Sequence, residues 1–135
     1  MKKSDRIRKQ AEDTMNKIRG ISRHIRNVQD NCLLLGEKLI LSGEMDLGKQ
    51  LIANGYVHDV SKFYGIEWDQ LTTENPDKAL LALAVSQHNR TNSHHPEFHG
   101  GIKYMPDRDI AELTCDWKAR SSEFGSSLTE YIHND

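Results

Sequence analysis

Residues 21–39, ISRHIRNVQDNCLLLGEKL, predict the helix on which the fold depends. Apolar side chains recur here at steps of three and four residues, which is typical of one face of an amphipathic helix. Ser42 and Gly43 mark its expected end. The stripe consists of Ile21, His24, Ile25, Val28, Cys32, Leu35 and Leu39. His24 is therefore expected on the buried face.

Similar spacing predicts helices on both sides of this segment. Residues 4–19 are polar and compatible with a helix, and Gly20 is the expected break. A third helix is predicted over residues 46–62, with His58 on its inner face. The buried faces of two helices would then each carry a histidine.

The second half of the chain predicts further helices separated by loops. Residues 65–73 and 89–106 are the predicted loops, and the longer one is typical of a functional segment. Asn75 is the expected N-cap of a helix with His88 on its buried stripe. A helix beyond residue 106 would carry Asp116 at the edge of its apolar face, and a short helix would follow near residue 128.

The pattern favours an all-α fold, because the period-two alternation that is typical of strands is nearly absent. At 135 residues the chain is expected to form one compact domain, residues 1–135, of about five to six helices. Within it, residues 1–20 form a basic N-terminal helix, and residues 21–120 carry the motifs.

Composition excludes several classes of protein. A mean hydropathy of −0.71 and the lack of an apolar run of about 18 residues argue against membrane insertion. The N-terminus lacks the apolar segment of a secretory signal, so a cytoplasmic location is expected. Cys32 and Cys115 form no CxxC pair, which predicts two reduced, buried thiols.

Charge is distributed unevenly along the chain. The formal net charge of −2 argues against a dedicated nucleic-acid surface, which needs clustered positive charge. Lysines and arginines nevertheless concentrate in the first 26 residues. This segment is interpreted as a solvated helix face, and the alternatives are a surface for phosphates or for a partner, including a second copy in a homo-oligomer.

A set of histidines and carboxylates suits a divalent metal ion, because imidazole nitrogen and carboxylate oxygen are common metal ligands. A single histidine on an apolar face is more often a hydrogen-bonded core residue, but here three helices each bury one. Buried charge on Asp59 is costly without a cation or several donors. The candidate ligands are His24, His58, Asp59, His88, His94, His95 and Asp116.

These residues resemble a known superfamily. His24, the doublet His58-Asp59 and Asp116 follow the order of ligands in HD-domain phosphohydrolases. Residues 58–62, HDVSK, resemble the HDxGK motif of HD-GYP proteins, and residues 94–97, HHPE, resemble their HHE segment. The chain is also similar, over residues 21–120, to small bacterial and phage HD-like proteins with HDxSK, HN, HHPE and DW motifs. It lacks the Gly-Tyr-Pro element, which argues against cyclic-di-GMP hydrolysis.

The resemblance implies an HD-like helical bundle with two metal ions, of manganese, iron, cobalt, zinc or magnesium. The first ion would be held by His24, His58, Asp59 and Asp116. Asp59 would bridge to a second ion held by His88 and by His94 or His95. Two such ions would clamp a phosphate and lower the pKa of a shared water, which makes hydroxide available at neutral pH.

Other polar residues are candidates for contact with a substrate. Lys62 is a predicted phosphate contact, and Glu97 is interpreted as a general acid or base or, with slight preference, as a carboxylate that orients a ligand imidazole. His99 and His133 are expected to be surface residues. Further candidates for substrate contact are Arg23, Asn89, Asn92, Lys118 and Arg120.

The leading hypothesis is a metal-dependent phosphohydrolase that acts on a nucleotide or another small phosphoester. One alternative is a di-iron oxygenase, since some HD-fold proteins use the same ligands with iron. The other is a binding or regulatory module in which metal only ties helices together. A closed coordination shell would favour the module, and an open position would favour an enzyme.

Overall fold

The first helix, α1, runs without interruption from Lys3 to Leu41 in a computed structural model that describes residues 2–134, with side chains to residue 132. The predicted break at Gly20 is wrong. One glycine costs only about 1 kcal/mol relative to alanine, and apolar positions continue across it at Ile18 and Ile21. The C-terminal half of α1 buries the predicted stripe, including His24, which is 2% exposed.

Helix α2, Met45–Tyr56, follows a tight turn and packs closely against α1. Glycines make this contact possible: a Cβ on Gly48 would lie 2.6 Å from the carbonyl oxygen of Gly36, and a Cβ on Gly55 would lie 2.7 Å from Cβ of Cys32. The two helix backbones therefore touch, and the lower helix propensity of glycine is offset by this packing.

Residues 57–91 differ from the predicted secondary structure in two places. A short 3₁₀ helix, Val60–Phe63, leads into α3, Gly65–Thr72, where a loop was predicted. Helix α4 spans Lys78–Thr91, and its N-cap is Asp77 rather than Asn75. The Asp77 carboxylate accepts hydrogen bonds from the backbone N–H groups of residues 79 and 80. Asp77 can do so because it directly precedes the first helical residue, whereas Asn75 lies two residues further away.

The predicted loop over residues 89–106 is wrong in part, since it contains the end of α4, the single turn α5, Pro96–His99, and a 3₁₀ turn, Ile102–Tyr104. Helices α6, Asp107–Glu123, and α7, Leu128–Asn134, complete the chain. The fully buried apolar cluster joins α1, α2 and α6 through Val28, Cys32, Leu51, Cys115 and Ala119. Both thiols are buried and unpaired by disulfide, as predicted.

The all-α prediction is confirmed, because residues 2–134 contain helices and turns but no strand. Seven α-helices occur there rather than five to six, since α3 and α5 fall in segments that were predicted to be loops. No helix in this part of the chain combines the length and the apolar character that crossing a membrane requires.

Candidate metal centre

The doublet His58-Asp59 lies in a turn between α2 and the 3₁₀ helix, not on a helix as predicted. Asp59 adopts a left-handed conformation with φ 54° and ψ 25°, and it alone does so among the described residues other than glycine. Such a conformation costs an L-residue roughly 1–2 kcal/mol, and aspartate tolerates it better than most. Both side chains are 2% exposed. This left-handed residue thus lies at a pair of buried polar side chains.

The Asp59 carboxylate faces imidazoles on both of its oxygens. Oδ1 lies 3.0 Å from Nε2 of His88 and 3.2 Å from Nε2 of His94. Oδ2 lies 3.2 Å from Nε2 of His58 and 2.9 Å from Nζ of Lys62. Asp59 therefore occupies the middle of the cluster and separates two groups of nitrogen donors.

Asp116 is the second carboxylate of the cluster, and α6 places it opposite α1. Its Oδ1 lies 2.8 Å from Nε2 of His24, and its Oδ2 lies 3.5 Å from Nε2 of His94 and 3.7 Å from Nε2 of His58. Donor atoms from five parts of the chain thus lie close to these two carboxylates. The five parts are α1, the turn at residues 58–59, α4, the loop that precedes α5, and α6.

The donor atoms fit a metal ion. Three overlapping groups of residues each have donor atoms within 4.8 Å of one another. The first group is Asp59 with His88, His94 and His95, the second is His24 with His58 and Asp59, and the third is His58 with His94 and Asp116. Several of these atoms are buried without an aligned hydrogen-bond partner among the described residues, although carboxylate oxygens are near in space. They include Nε2 of His24, His58, His94 and His95, together with Oδ1 of Asp59 and of Asp116. Unpaired buried polar atoms are costly, and a cation would satisfy them. These buried groups can therefore hold a metal ion.

Three glutamates orient four of the imidazoles from behind. One oxygen of Glu112, Oε2, accepts hydrogen bonds from Nδ1 of His58 at 2.7 Å and from Nδ1 of His94 at 2.9 Å. Oε2 of Glu123 lies 2.8 Å from Nδ1 of His24, and Oε1 of Glu67 lies 2.5 Å from Nδ1 of His88. Because a carboxylate only accepts, each Nδ1 carries the proton and each Nε2 presents a lone pair to the centre. This carboxylate–histidine arrangement is typical of metal ligands.

The electrostatics of the metal-free centre follow from the same contacts. Burial alone would lower the pKa of His94, but its contacts with the carboxylates of Asp59 and Glu112 outweigh burial and raise the pKa to about 9. His95 has no such partner, so burial and the neighbouring histidines lower its pKa to about 4. Burial opposes ionisation of Asp59, yet its contacts with His58, His88 and His94 hold its pKa well below the ordinary range. Without metal, the neighbouring carboxylates therefore favour the protonated forms of His58 and His94.

The cluster opens on one side to a cavity of about 520 Å³, which we call the central cavity. Asp59, Asp116, His88 and His95 reach its wall, whereas His24, His58 and His94 lie behind them. The opposite wall is apolar and consists of Leu71, Leu81, Ala84, Val85, Leu113 and Trp117. Some of the candidate ligands are therefore accessible from the central cavity.

Residues 13–134 match the model of DUF5662, a family of unknown function. The chain belongs to the DUF5662 family. The match includes every candidate ligand. No curated protein and no solved structure matches the chain.

The residues predicted to contact a substrate lie in different parts of this DUF5662 protein. Lys62 and Arg120 line the central cavity, where Arg120 also lies 3.4 Å from Glu123. Arg23 lines a neighbouring cavity. Lys118 is exposed on α6 and lines neither cavity, so its contact with a substrate stays a prediction.

The asparagines between His88 and His94 do not point into the central cavity. Asn92 donates from Nδ2 to the Ser61 hydroxyl at 3.0 Å and to the His88 carbonyl at 2.9 Å, and these bonds stabilise the end of α4. Asn89 lines a separate groove, which shares Leu81, Val85 and Glu97 with the central cavity. Neither asparagine lines the central cavity, and their contacts with a substrate stay predictions.

Glu97 is exposed at the edge of the central cavity and makes no hydrogen bond to an imidazole among the described residues. The preferred interpretation, that Glu97 orients a ligand imidazole, therefore stays a prediction. Glu67, Glu112 and Glu123 are not among the residues that the sequence predicts for the site, although Glu112 stands one helical turn before Asp116 and thus shares its face.

His99 was predicted to be a surface residue and is instead part of a buried hydrogen-bond network. Its Nε2 donates to the Ser93 carbonyl at 2.8 Å and lies 3.2 Å from Oδ2 of Asp109, which is 1% exposed. The Ser93 hydroxyl donates to Oδ1 of Asp109 at 2.9 Å. This network ties the segment that carries His94 and His95 to α6. The His133 side chain lies outside the described residues.

Proposed function

We propose that the protein is a metal-dependent phosphohydrolase that acts on a nucleotide or a related small phosphoester. The observation that carries the proposal is the position of Asp59, whose two oxygens face separate groups of imidazoles at the wall of a cavity that also contains Lys62 and Arg120. A bridging carboxylate beside two cationic side chains suits a phosphate group held between two metal ions.

In this proposal the donors divide between two ions that share Asp59. His24, His58 and Asp116 complete the first set, and His88, His94 and His95 complete the second. Both histidines of the 94–95 pair then have a role, in place of the choice between them that the sequence left open. Ions held there would supply Lewis acidity toward phosphoryl oxygens and would acidify a water molecule.

The side chains around the ions have separate roles. Lys62 and Arg120 would bind phosphate oxygens, and the planar guanidinium of Arg120 suits a bidentate contact. The apolar wall, which includes Val85 and Trp117, would pack against the base or other organic part of the substrate and exclude bulk water. Glu112 would keep His58 and His94 in their ligating tautomer.

The decisive experiment loads purified protein separately with manganese, cobalt, iron, zinc or magnesium and screens nucleoside mono-, di- and triphosphates by chromatography. We expect hydrolysis with at least one metal. Asp59→Asn should reduce the rate to background, while Asp69→Asn, which alters an exposed carboxylate on α3, should not change it. A wild-type protein that retains metal but hydrolyses none of these substrates would overturn the proposal.

A di-iron oxygenase is the second candidate, because the mixed histidine and carboxylate donors also suit iron. The two functions differ in their dependence on redox chemistry. Hydrolysis by protein loaded with zinc or magnesium supports the phosphohydrolase. Oxygen consumption by the iron-loaded protein alone, with no hydrolysis under any metal, supports the oxygenase.

A further inference from the structure

A second cavity of about 390 Å³ lies beside His24 and is lined by residues of α1, the 3₁₀ helix, α3 and α6; we call it the basic cavity. Four cationic side chains line it: Lys17, Arg23, Lys62 and Arg120. Glu123 contributes the single carboxylate of its lining, and that carboxylate already accepts hydrogen bonds from His24. The lining therefore carries a clear excess of positive charge.

The basic cavity adjoins the central cavity. Lys62, Leu71 and Arg120 line both, so the two cavities meet along these three side chains. A molecule with one phosphate at the candidate metal ligands can therefore extend past Lys62 and Arg120 toward α1. Its organic part would remain against the apolar wall of the central cavity.

The cations contributed by α1 are not neutralised within the protein. Lys62 pairs with Asp59, and Arg120 lies near Glu123. Lys17 donates to the carbonyl of Thr73 at 2.7 Å, which fixes its ammonium group without cancelling its charge. Neither Lys17 nor Arg23 forms an ion pair with an acidic side chain in the part of the chain that the structure describes. Uncompensated positive charge in a concave site attracts anions.

We propose that the basic cavity binds a second phosphate group of the substrate, so that the substrate class is a phosphoester with at least two linked phosphates, such as a nucleoside di- or triphosphate. This inference rests on the proposed phosphohydrolase function and specifies its substrate. Arg23 is the principal contact, since its guanidinium can hold two phosphate oxygens at once. A monophosphate would occupy the central cavity only and would leave Lys17 and Arg23 without a ligand.

The test compares two inorganic probes by isothermal titration calorimetry of the metal-loaded protein in buffer with excess magnesium. Imidodiphosphate has two linked phosphoryl groups and resists hydrolysis, whereas orthophosphate has one. We expect wild-type protein to bind imidodiphosphate at least about tenfold more tightly, since a charged hydrogen-bonding contact is worth roughly a factor of ten. Equal affinity for the two probes would overturn the inference.

Variants on one helix supply the control. Arg23→Ala should weaken imidodiphosphate binding about tenfold and leave orthophosphate binding within about twofold. Arg19→Ala removes the same charge one turn away, outside the basic cavity, and should change neither. Lys17→Gln serves as a second variant, and melting temperatures establish that all three remain folded. If Arg23→Ala behaves like Arg19→Ala, the inference is wrong.

The outcomes separate this inference from the proposed function. Selective loss of imidodiphosphate binding in Arg23→Ala supports the basic cavity even if no hydrolysis is found. Hydrolysis of monophosphates alone, with unchanged probe binding in Arg23→Ala, keeps the phosphohydrolase and rejects the second phosphate site.

Discussion

At the scale of single residues, the centre depends on three glutamates that accept hydrogen bonds from the Nδ1 atoms of the candidate ligand imidazoles. Glu112 is 4% exposed and bonds to two imidazoles through one oxygen, while Glu123 and Glu67 each bond to one. In the proposed arrangement Glu112 therefore supports both ions, Glu123 supports the first, and Glu67 supports the second. Substitution of each glutamate should therefore affect the binding of the two ions differently, and metal-binding measurements can detect this difference.

Glu112→Gln is expected to weaken the binding of both ions by about 10- to 100-fold, because an amide orients the imidazoles less strongly than a carboxylate. Glu123→Gln should weaken only the ion near His24. Cobalt titrations followed by absorption, with metal content measured after dialysis, would count the ions that each variant retains. Glu97→Gln is the matched control and should retain both. Equal losses in Glu112→Gln and Glu123→Gln would contradict the arrangement.

The pKa of His94 predicts a pH dependence for the metal-free protein. Its folded pKa of about 9 is above the ordinary 6.5, so protonation stabilises the fold fully below pH 6.5, and this stabilisation is lost as the pH rises to about 9. Protonation of His95 affects the stability of the fold at lower pH. Its folded pKa of about 4 favours the unfolded state as the pH falls from 6.5 to 4.

Calorimetric melting of metal-free protein from pH 5 to pH 9.5 would check both directions. We also expect metal affinity to rise with pH up to about 9, because binding must displace the proton on His94. Titrations in buffers of different ionisation enthalpy should detect the released proton. A metal affinity that does not change between pH 6.5 and pH 9 would contradict the assignment of His94 as a ligand.

At the scale of helices, α1 and α2 form a support in which glycines set the distance between backbones. Gly36 and Gly48 face each other across this contact, and added Cβ atoms would lie within 2.9 Å of the opposing backbone. Gly20 has nothing within 4 Å of its Cβ position and lies in an exposed part of α1. The same residue type thus has a packing role at one site and none at the other.

Gly48→Ala is expected to destabilise the protein by about 1–3 kcal/mol, the usual cost of overpacking a close contact. Gly20→Ala should leave stability unchanged or raise it by up to about 1 kcal/mol, because alanine favours an exposed helix. Urea denaturation of both variants, compared through their midpoints, gives the two values. A Gly48→Ala protein as stable as wild type would show that α1 and α2 can separate without penalty.

At the scale of the whole molecule, the candidate centre joins elements that share little apolar core. The fully buried apolar cluster connects α1, α2 and α6. The polar cluster connects these three helices to α4 through His88, and to the segment before α5 through His94 and His95. Metal would therefore contribute to folding as well as to chemistry.

Removing metal with a chelator is expected to lower the melting temperature. A ligand at about 100 times its dissociation constant stabilises the folded state by roughly 2.7 kcal/mol, which is on the order of 10 °C for a domain of this size. Scanning calorimetry with and without chelator, and after metal is restored, measures the shift. A melting temperature that chelation leaves unchanged would argue against a centre that links these helices.

Local pattern was sufficient for part of the structure. The amphipathic stripe through Val28 and Cys32 predicted the buried face of α1, and the spacing around His88 predicted α4. Helices α3 and α5 were missed, because eight and four residues carry too little periodic signal to distinguish a helix from a loop. Gly20 was misjudged as a break, because the length of α1 outweighs one poor helix former.

The sequence by itself determined the helical class and the types of donor that are available, because both depend on residue identity and short-range spacing. Only the tertiary structure decided which carboxylate supports which imidazole. His24 and Glu123, for example, are 99 residues apart in the chain and 2.8 Å apart in space. The left-handed turn at Asp59 and the two adjoining cavities likewise arise from packing between distant helices, and a local pattern carries no information about such distances.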